Sequence, residues 1–359
     1  MSDRFFVASR KGLFDFRKSN GGWRAGAPAF LGEPVTAVLA DRRDGAIYAA
    51  LNLGHFGPKL HRSDDDGATW TELAPPAFPT TDDNKGAPSV ELIWTIVPGG
   101  EKEPGALWAG TIPGALWRSN DRGESWRLID SLWNRPEREG WFGGGYDNPG
   151  VHSVLVDPRD AAKITLGISC GGVWKSDDSG ETWRLTGKGL RSDYTPPEQA
   201  EELNNQDPHR LVQCAAAPDT VWCQHHNGVF LSQDGGETFE EFRGIKPAVF
   251  GFAVAVDPAD WKTAYLVPGV KDECRVPVDG KLVVNKTTDG GKSWTPMSNG
   301  LPDEESYDLI YRHALDIDDA GERLVMGSTT GNLWVSENAG ERWAPVSAHL
   351  PPIAAVSFA

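Results

Sequence analysis

The side chains of this sequence that are best suited to chemistry are its histidines, six of which fall near the ends of segments that are typical of β-strands. They are His55, His152, His209, His225, His226 and His313. An imidazole changes its charge near neutral pH and is a common ligand of transition metals, so converging histidines could act as acid and base or hold a divalent metal. Each could instead cap a strand or bind water, because spacing in sequence does not show that the rings meet.

Other polar and aromatic residues accompany these histidines. The catalytic candidates are His152, His209, His313, Glu91 and Arg312. The substrate-binding candidates are Trp141, Tyr146, Arg210, Tyr311 and His55. The adjacent pair His225 and His226 is the candidate for metal ligation, and the cofactor expected there is a divalent metal ion.

The elements that must position these residues are indicated by a short phrase that occurs six times. The copies are SDDDGATW from Ser63, SNDRGESW from Ser119, SDDSGETW from Ser176, SQDGGETF from Ser232, TTDGGKSW from Thr287 and SENAGERW from Ser336. The closing aromatic recurs at intervals of roughly 50 to 57 residues, and a worn seventh copy ends at Trp23. Such self-similarity indicates a stack of one supersecondary unit.

Each unit contains four strand-like runs, for example HSVLVDP, KITLGIS, GVWKS and ETWRLT around Trp183. Four strands in a period of roughly 40 to 50 residues are typical of a β-propeller blade. The chain begins with RFFVAS, which matches the second strand of a blade, and ends with IAAVSFA, which matches the missing first strand. We therefore predict an all-β, seven-bladed propeller with four antiparallel strands per blade. Pairing of the C-terminal strand with the N-terminal blade would close the ring and remove unpaired sheet edges.

These signals predict one domain over residues 1–359. Blade 1 combines residues 1–30 with 351–359, and the other blades lie at about 31–80, 88–135, 150–190, 208–245, 250–300 and 312–348. The repeated phrase falls between the third and fourth strands, where its Ser or Thr and its Asp can bind backbone N–H groups and its Gly can adopt a positive φ. Asn338 replaces the Asp in the last copy, as expected if local hydrogen bonding matters rather than charge.

The phrase S-x-D-x-G-x-x-W resembles the Asp box, or BNR repeat. That repeat occurs in sialidases, xyloglucan-cleaving glycoside hydrolases, sortilin-type receptors and photosystem II assembly and stability factors. The resemblance covers nearly the whole chain and implies a propeller. It says little about activity, because the box lies away from the ligand in the enzymes that carry it and a fold does not imply a function.

The long connections of the predicted blades nearly all fall on one rim, here called the top. They are residues 74–89, 130–151, 187–208, 269–281 and 298–312. Long loops on a rigid scaffold are where binding and catalysis usually occur. The candidate residues belong to this rim, so the top is where we expect the site.

Composition excludes several partners. A net charge of −16 argues against nucleic acid and anionic membranes, which bind basic patches. No apolar stretch is long enough to span a bilayer, and MSDRFFVASRKG has no apolar signal core, so we expect a cytoplasmic protein. Cys214 and Cys223 would face each other across a turn at Pro218 and Asp219, which makes a cross-strand disulfide conceivable, although reduced thiols are favoured in that compartment.

Three classes of function fit these observations. The first is a hydrolase or lyase, or a ligand binder without catalysis, that takes a small polar or sugar-like compound in the top pocket. The second is a scaffold that holds a protein partner, as the resemblance to photosystem II factors implies. The third is an exo-sialidase, for which Arg138, Arg210, Arg275 and Arg312 could grip a carboxylate. Against the third, the arginine-hydrophobe-proline signature of sialidases is absent and sialidases have six blades.

Overall fold

Seven four-stranded antiparallel sheets surround a central channel in the computed structural model of this chain. The structure describes residues 1–79 and 88–359. Part of the long connection predicted at 74–89, and the end of the blade predicted at about 31–80, lie outside the described residues. Within them, the sheets confirm the predicted seven-bladed propeller.

The strands are short, and their order in the chain follows the blades. The first three blades contain β1 (Arg4–Ser9), β2 (Gly12–Ser19), β3 (Gly22–Ala25), β4 (Val35–Ala40), β5 (Ile47–Asn52), β6 (Pro58–Ser63), β7 (Thr71–Leu73), β8 (Leu92–Pro98), β9 (Leu107–Ile112), β10 (Ala115–Ser119) and β11 (Arg127–Leu128). Blades 4 and 5 contain β12 (Val151–Val156), β13 (Ile164–Ile168), β14 (Gly172–Ser176), β15 (Arg184–Thr186), β16 (Pro208–Cys214), β17 (Ala217–His225), β18 (Gly228–Ser232) and β19 (Glu240–Phe242). The remainder are β20 (Gly251–Val256), β21 (Ala264–Pro268), β22 (Val284–Thr287), β23 (Thr295–Met297), β24 (Leu315–Ile317), β25 (Leu324–Gly327), β26 (Leu333–Ser336), β27 (Trp343–Ser347) and β28 (Ile353–Phe358).

In the part of the chain that the structure describes, helical turns occur in the loops. One α-helical turn, α1, spans Asp130–Trp133, and 3-10 turns occur at Gly54–Phe56, Pro136–Gly140, Pro197–Gln199, Leu203–Asn205 and Val278–Gly280. No helix in the described ranges has the length and apolarity needed to cross a membrane.

The ring closes through its terminal strands, as predicted. β28 is the innermost strand of blade 1 and pairs antiparallel with β1, with Phe5 opposite Phe358 and Val7 opposite Val356. The rings of Phe5 and Phe358 meet edge to face with centroids 5.8 Å apart. Both side chains are buried in the core that blades 1, 6 and 7 share. The closing strand therefore completes a sheet and fills the space between blades.

The repeated phrase forms a local hydrogen-bonded turn on the bottom face. In blade 4 the Ser176 hydroxyl donates to Asp178 Oδ1 at 2.8 Å and accepts the Gly180 N–H, while Asp178 accepts both the N–H and the hydroxyl of Thr182. Gly180 has a φ of 86°. In the last copy Asn338 Oδ1 takes the place of the carboxylate. The turn thus works through hydrogen bonds, and charge is not required.

The register of blade 5 corrects the expectation about its cysteines. Cys223 lies opposite Leu211, and Cys214 lies opposite Ala217, because a shift between Gln213 and Cys214 moves the turn away from Pro218. Both thiols are free and buried. The cross-strand disulfide is excluded by this pairing, and the reduced alternative stands.

Candidate functional site

The innermost strands share an irregularity at their top ends. In six blades the register against the second strand shifts by one residue at or next to Ala354, Thr36, Trp94, His152, His209 and Phe252. An extra residue in one strand re-aims a side chain, and such bulges are common next to functional sites. In blade 7, His313 lies just before β24. The side chains at these positions differ from blade to blade, and those of Ala354, Thr36, Trp94, Phe252 and His313 line the channel mouth.

A cavity of about 440 Å³ opens at this mouth. Its apolar wall consists mainly of Trp94, Tyr146, Phe252 and Tyr311, and its polar wall contains His313, Thr36, Thr329 and three arginines. Among the described residues that line it, none carries a carboxylate. An acidic protein therefore has a cationic, aromatic pocket at its centre.

The three arginines come from three blades. Arg10 lies in the turn between β1 and β2, Arg275 in the loop after β21, and Arg312 just before β24. Arg275 binds Asp272 Oδ1 at 2.5 Å. Arg10 and Arg312 form no ion pair with any residue of the described ranges. Two of the three positive charges are thus available to a ligand.

Arg312 is the most unusual of these groups. Only 7% of it is exposed, and its guanidinium lies between the rings of Trp94 and Phe252, 4.9 and 5.1 Å from their centroids. Its Nε is buried without a hydrogen-bond partner. Burial lowers the pKa of Arg312, although the carboxylate of Asp207 opposes this effect. A buried cation without an ionic partner is costly to the fold, and an anionic group beside this guanidinium would reduce that cost.

His313 is the imidazole that lines the cavity. Its Nε2 lies 2.8 Å from the carbonyl oxygen of His152, and because a carbonyl only accepts, Nε2 carries the proton and Nδ1 keeps a lone pair. Burial, reinforced by Arg210, holds the pKa of His313 well below its usual value. The ring is therefore neutral at physiological pH and can accept a proton or hydrogen bond.

A second cluster lies beside the cavity, in blade 5. Asp207, His209 and His226 each place one ligand atom so that these atoms all lie within 4.8 Å of one another. Asp207 and His209 are two residues apart at the start of β16, and His226 follows β17. The ring of Phe252 stacks on His209 with centroids 4.3 Å apart, so one aromatic side chain separates this cluster from the cavity.

The glycine-rich loop 143–145 covers the cluster. A Cβ on Gly144 would lie 2.5 Å from Cys170 Sγ and 3.3 Å from Asp207 Oδ2, so a side chain there would collide with Cys170 and crowd Asp207 of the cluster. Gly144 also lines the cavity. The loop therefore carries glycine at the position where its backbone approaches both the cluster and the cavity closely.

The structure brings only some of the predicted site residues together. Tyr146, Tyr311, Arg312 and His313 line the cavity, and His209 and His226 meet in the cluster. His225 does not join them, because its Nε2 faces the Asp207 N–H at 3.1 Å and its Nδ1 faces the Asn227 N–H. Burial lowers the pKa of His225 to about 3.

Four other predicted residues lie outside the cavity lining. His152 has no exposed surface, and its Nδ1 contacts the Ser153 hydroxyl. Trp141 belongs to the core and donates its indole N–H to Asn204. His55 is exposed and stacks on Phe56, and Glu91 accepts a hydrogen bond from Asn148. In this conformation, His152 therefore does not reach the cavity, and Trp141 does not form part of its wall.

The predicted set of carboxylate-gripping arginines changes as well. Arg275 and Arg312 line the cavity, whereas Arg138 stacks on Trp133 and Arg210 lies deeper, in the channel. Arg10 and Asp207 were missing from the prediction. Asp207 could have been found, because residues two apart in an extended strand share a face and His209 was already a candidate.

The channel below the cavity holds an uncommon carboxyl group. Asp316 accepts the Phe358 N–H at 2.8 Å, and burial raises its pKa from 3.8 to about 6 despite that bond and the nearby Arg210. Its folded-state pKa is thus above the unfolded one. The contribution of Asp316 to the free energy of unfolding is therefore largest below about pH 4 and decreases as the pH rises through 6.

We expect Asp316→Asn to stabilise the protein at pH 8 by about 2 kcal/mol, because the variant avoids a buried charge. The gain should decrease toward zero as the pH falls below 3.8, the pKa of this carboxyl in the unfolded chain, because the wild-type group then becomes protonated in both states. Urea unfolding of the two proteins at several pH values measures the difference. A gain that is equal at all pH values, or largest in acid, would contradict the assignment.

Comparisons with known proteins give the fold and no family. No protein-family model matches the sequence, and no curated protein matches it. Among solved structures, the chain is similar to the GH74 xyloglucanase from Xanthomonas campestris, with a TM-score of 0.65 and 17% identity, covering 100% of this chain and 52% of that one. It is also similar to the Niastella koreensis GH74 enzyme, with a TM-score of 0.64, 16% identity and coverage of 95% and 51%. The chain spans about half the length of these enzymes.

A second kind of neighbour has a similar length. A structure of YCF48 bound to D1 peptide matches with a TM-score of 0.58 and 13% identity over 94% of this chain and 90% of that one. Because all these identities are low, the similarity concerns the propeller fold. The function has to be argued from the side chains of this chain.

Proposed function

We propose that the cavity at the channel mouth binds a small, anionic, sugar-like compound, as a ligand or as the substrate of a hydrolase or lyase. The observation that carries this proposal is Arg312, a buried guanidinium without an ionic partner that lines a cavity free of carboxylates among the described residues. An anionic ligand would give it the partner it lacks, and charged hydrogen bonds of this kind are the strong ones.

The other walls fit the remainder of such a compound. Trp94, Tyr146 and Tyr311 offer aromatic faces and hydroxyl groups, which suit a ring that carries both C–H and O–H bonds. His313 offers a neutral nitrogen, so a bound sugar acid could place a proton or hydroxyl against it. The GH74 neighbours are sugar-processing enzymes by name, which supports the sugar-like part of the proposal at the level of the fold.

A second candidate is docking of a protein partner on the same rim. Several aromatic side chains there are exposed, including Phe142 at 41%, Tyr146 at 51% and Tyr307 at 68%. Exposed aromatics are enriched in interfaces, and one YCF48 neighbour was solved with a peptide. A peptide could also present its terminal carboxylate to the arginines.

A thermal-shift panel tests both candidates in one experiment. It compares glucuronate, N-acetylneuraminate and a hexose phosphate with glucose and xylose, and short peptides with free and amidated C-termini. We expect one or more acidic sugars to raise the melting temperature in proportion to the logarithm of their concentration, and neutral sugars to have no effect. Stabilisation only by free-carboxylate peptides would favour docking, and no response to any anion would refute the proposed pocket.

A further inference from the structure

The cluster of Asp207, His209 and His226 points ring nitrogens at a carboxylate oxygen, an arrangement that a bound cation would complete. His209 Nδ1 lies 2.7 Å from the carbonyl oxygen of Gly251. Since that oxygen only accepts, Nδ1 must carry the ring proton, and Nε2 is left with its lone pair. This lone pair faces Asp207 Oδ2 at 3.2 Å. Two lone pairs at this distance repel each other unless a proton or a metal ion lies between them, and with a second proton the ring would be a buried imidazolium, which is costly.

Hydrogen bonds to its other oxygen, Oδ1, hold the Asp207 carboxylate in place. Asp207 Oδ1 accepts the N–H of Cys170 at 3.1 Å and faces the hydroxyl of Ser169 at 3.2 Å, which leaves Oδ2 free to point at the imidazoles. His226 presents its Nδ1 to the same oxygen at 3.5 Å, and its backbone N–H binds the Asp207 carbonyl. Metal ligands are typically oriented in this way by a second set of hydrogen bonds.

The distances fit a metal site. Ligand atoms at about 2.0 to 2.1 Å from a tetrahedral ion lie about 3.3 Å apart. Asp207 Oδ2 lies 3.2 Å from His209 Nε2 and 3.5 Å from His226 Nδ1. Two imidazoles and one carboxylate suit a borderline divalent ion such as Zn²⁺, and three protein ligands leave a position for water or substrate.

We propose that Asp207 Oδ2, His209 Nε2 and His226 Nδ1 form a site for a divalent transition-metal ion. The ligand set differs from the pair of adjacent histidines that the sequence suggested, because both nitrogens of the His225 ring face backbone N–H groups rather than the cluster. The His226 side chain is 20% exposed, which gives an ion a route from solvent. The proposal does not depend on the arginine pocket, and each can fail without the other.

Titration of the chelator-treated, dialysed protein with ZnCl₂ by calorimetry is the test. We expect one ion per chain, and CoCl₂ should produce visible absorption bands of a four- or five-coordinate ion. His226→Ala should weaken Zn²⁺ binding by ~100-fold or more, because loss of an outer hydrogen bond to a ligand alone costs ~10- to 100-fold. Ser169→Ala, which removes such an outer bond, should weaken binding by ~10-fold.

His349→Ala is the matched control, since this exposed histidine lies away from the cluster, and its Zn²⁺ affinity should equal that of the wild type. Melting curves of each metal-free variant report folding. Asp207→Asn is the second ligand variant, so the test does not rest on a single substitution. Absence of stoichiometric binding in the wild type, or unchanged affinity in folded His226→Ala and Asp207→Asn, would overturn the site.

Discussion

Phe358→Ala is expected to lower the free energy of unfolding by about 3 to 5 kcal/mol, which is the usual cost of removing a buried phenylalanine. Only 3% of this side chain is exposed, and it packs against Phe5 in the core shared by blades 1, 6 and 7. The loss should lie at the upper end of this range because the residue also holds the strand that closes the ring.

Ser357→Ala is the matched control for that prediction. Ser357 precedes Phe358 on β28, and its side chain faces the central channel rather than the core between blades. We expect a change within about 0.5 kcal/mol, as for other substitutions outside packed regions. Urea unfolding followed by tryptophan fluorescence measures both variants. Equal effects of the two substitutions would mean that the closing strand contributes little to stability.

Arg312→Met should change stability and binding in opposite directions. Methionine keeps contact with Trp94 and Phe252 but removes a buried charge that has no partner, so the free energy of unfolding should rise by about 1 to 2 kcal/mol. Affinity for the best acidic compound of the panel should decrease by at least about 30-fold, which corresponds to about 2 kcal/mol. Such a gain in stability at the expense of function is common at binding sites.

Arg243→Met provides the comparison for that variant. Its side chain is 75% exposed and pairs with Glu241 on the surface, so neither stability nor affinity should change appreciably. Unfolding experiments and calorimetric titration are carried out on both variants. If Arg312→Met destabilises the protein and leaves affinity unchanged, Arg312 has a structural role and the proposed function loses its main support.

The sequence predicts the fold well because the signals for it are local and repeated. The hydrogen bonds of the turn around Ser176 and Asp178 join atoms within seven residues of one another. The copy at Asn338 shows that this turn requires a side-chain oxygen and not a charge. The missing strand of blade 1 follows from counting strands at the two ends. Such inferences need no knowledge of how distant side chains pack.

The site was predicted less completely because it depends on packing between blades. Trp141 looks like a loop aromatic, yet it is buried against Trp174 and bonded to Asn204. Arg10 lies in a tight turn that carries no motif, and only the ring brings it near Arg312. The bulges decide which residue of each inner strand faces the mouth, and a single sequence does not reveal them.

The pairing of β28 with β1 also links the pocket to the motions of the ring. Pro352, Ile353 and Ala354 form part of the cavity wall, so detachment of β28 would dismantle the pocket before the other blades unfold. A ligand that binds only the intact cavity must then lower the population of the opened state, and more strongly as its concentration rises above its Kd. Amide hydrogen exchange in Val356 and its neighbours would therefore report ligand binding from a strand that the ligand need not touch.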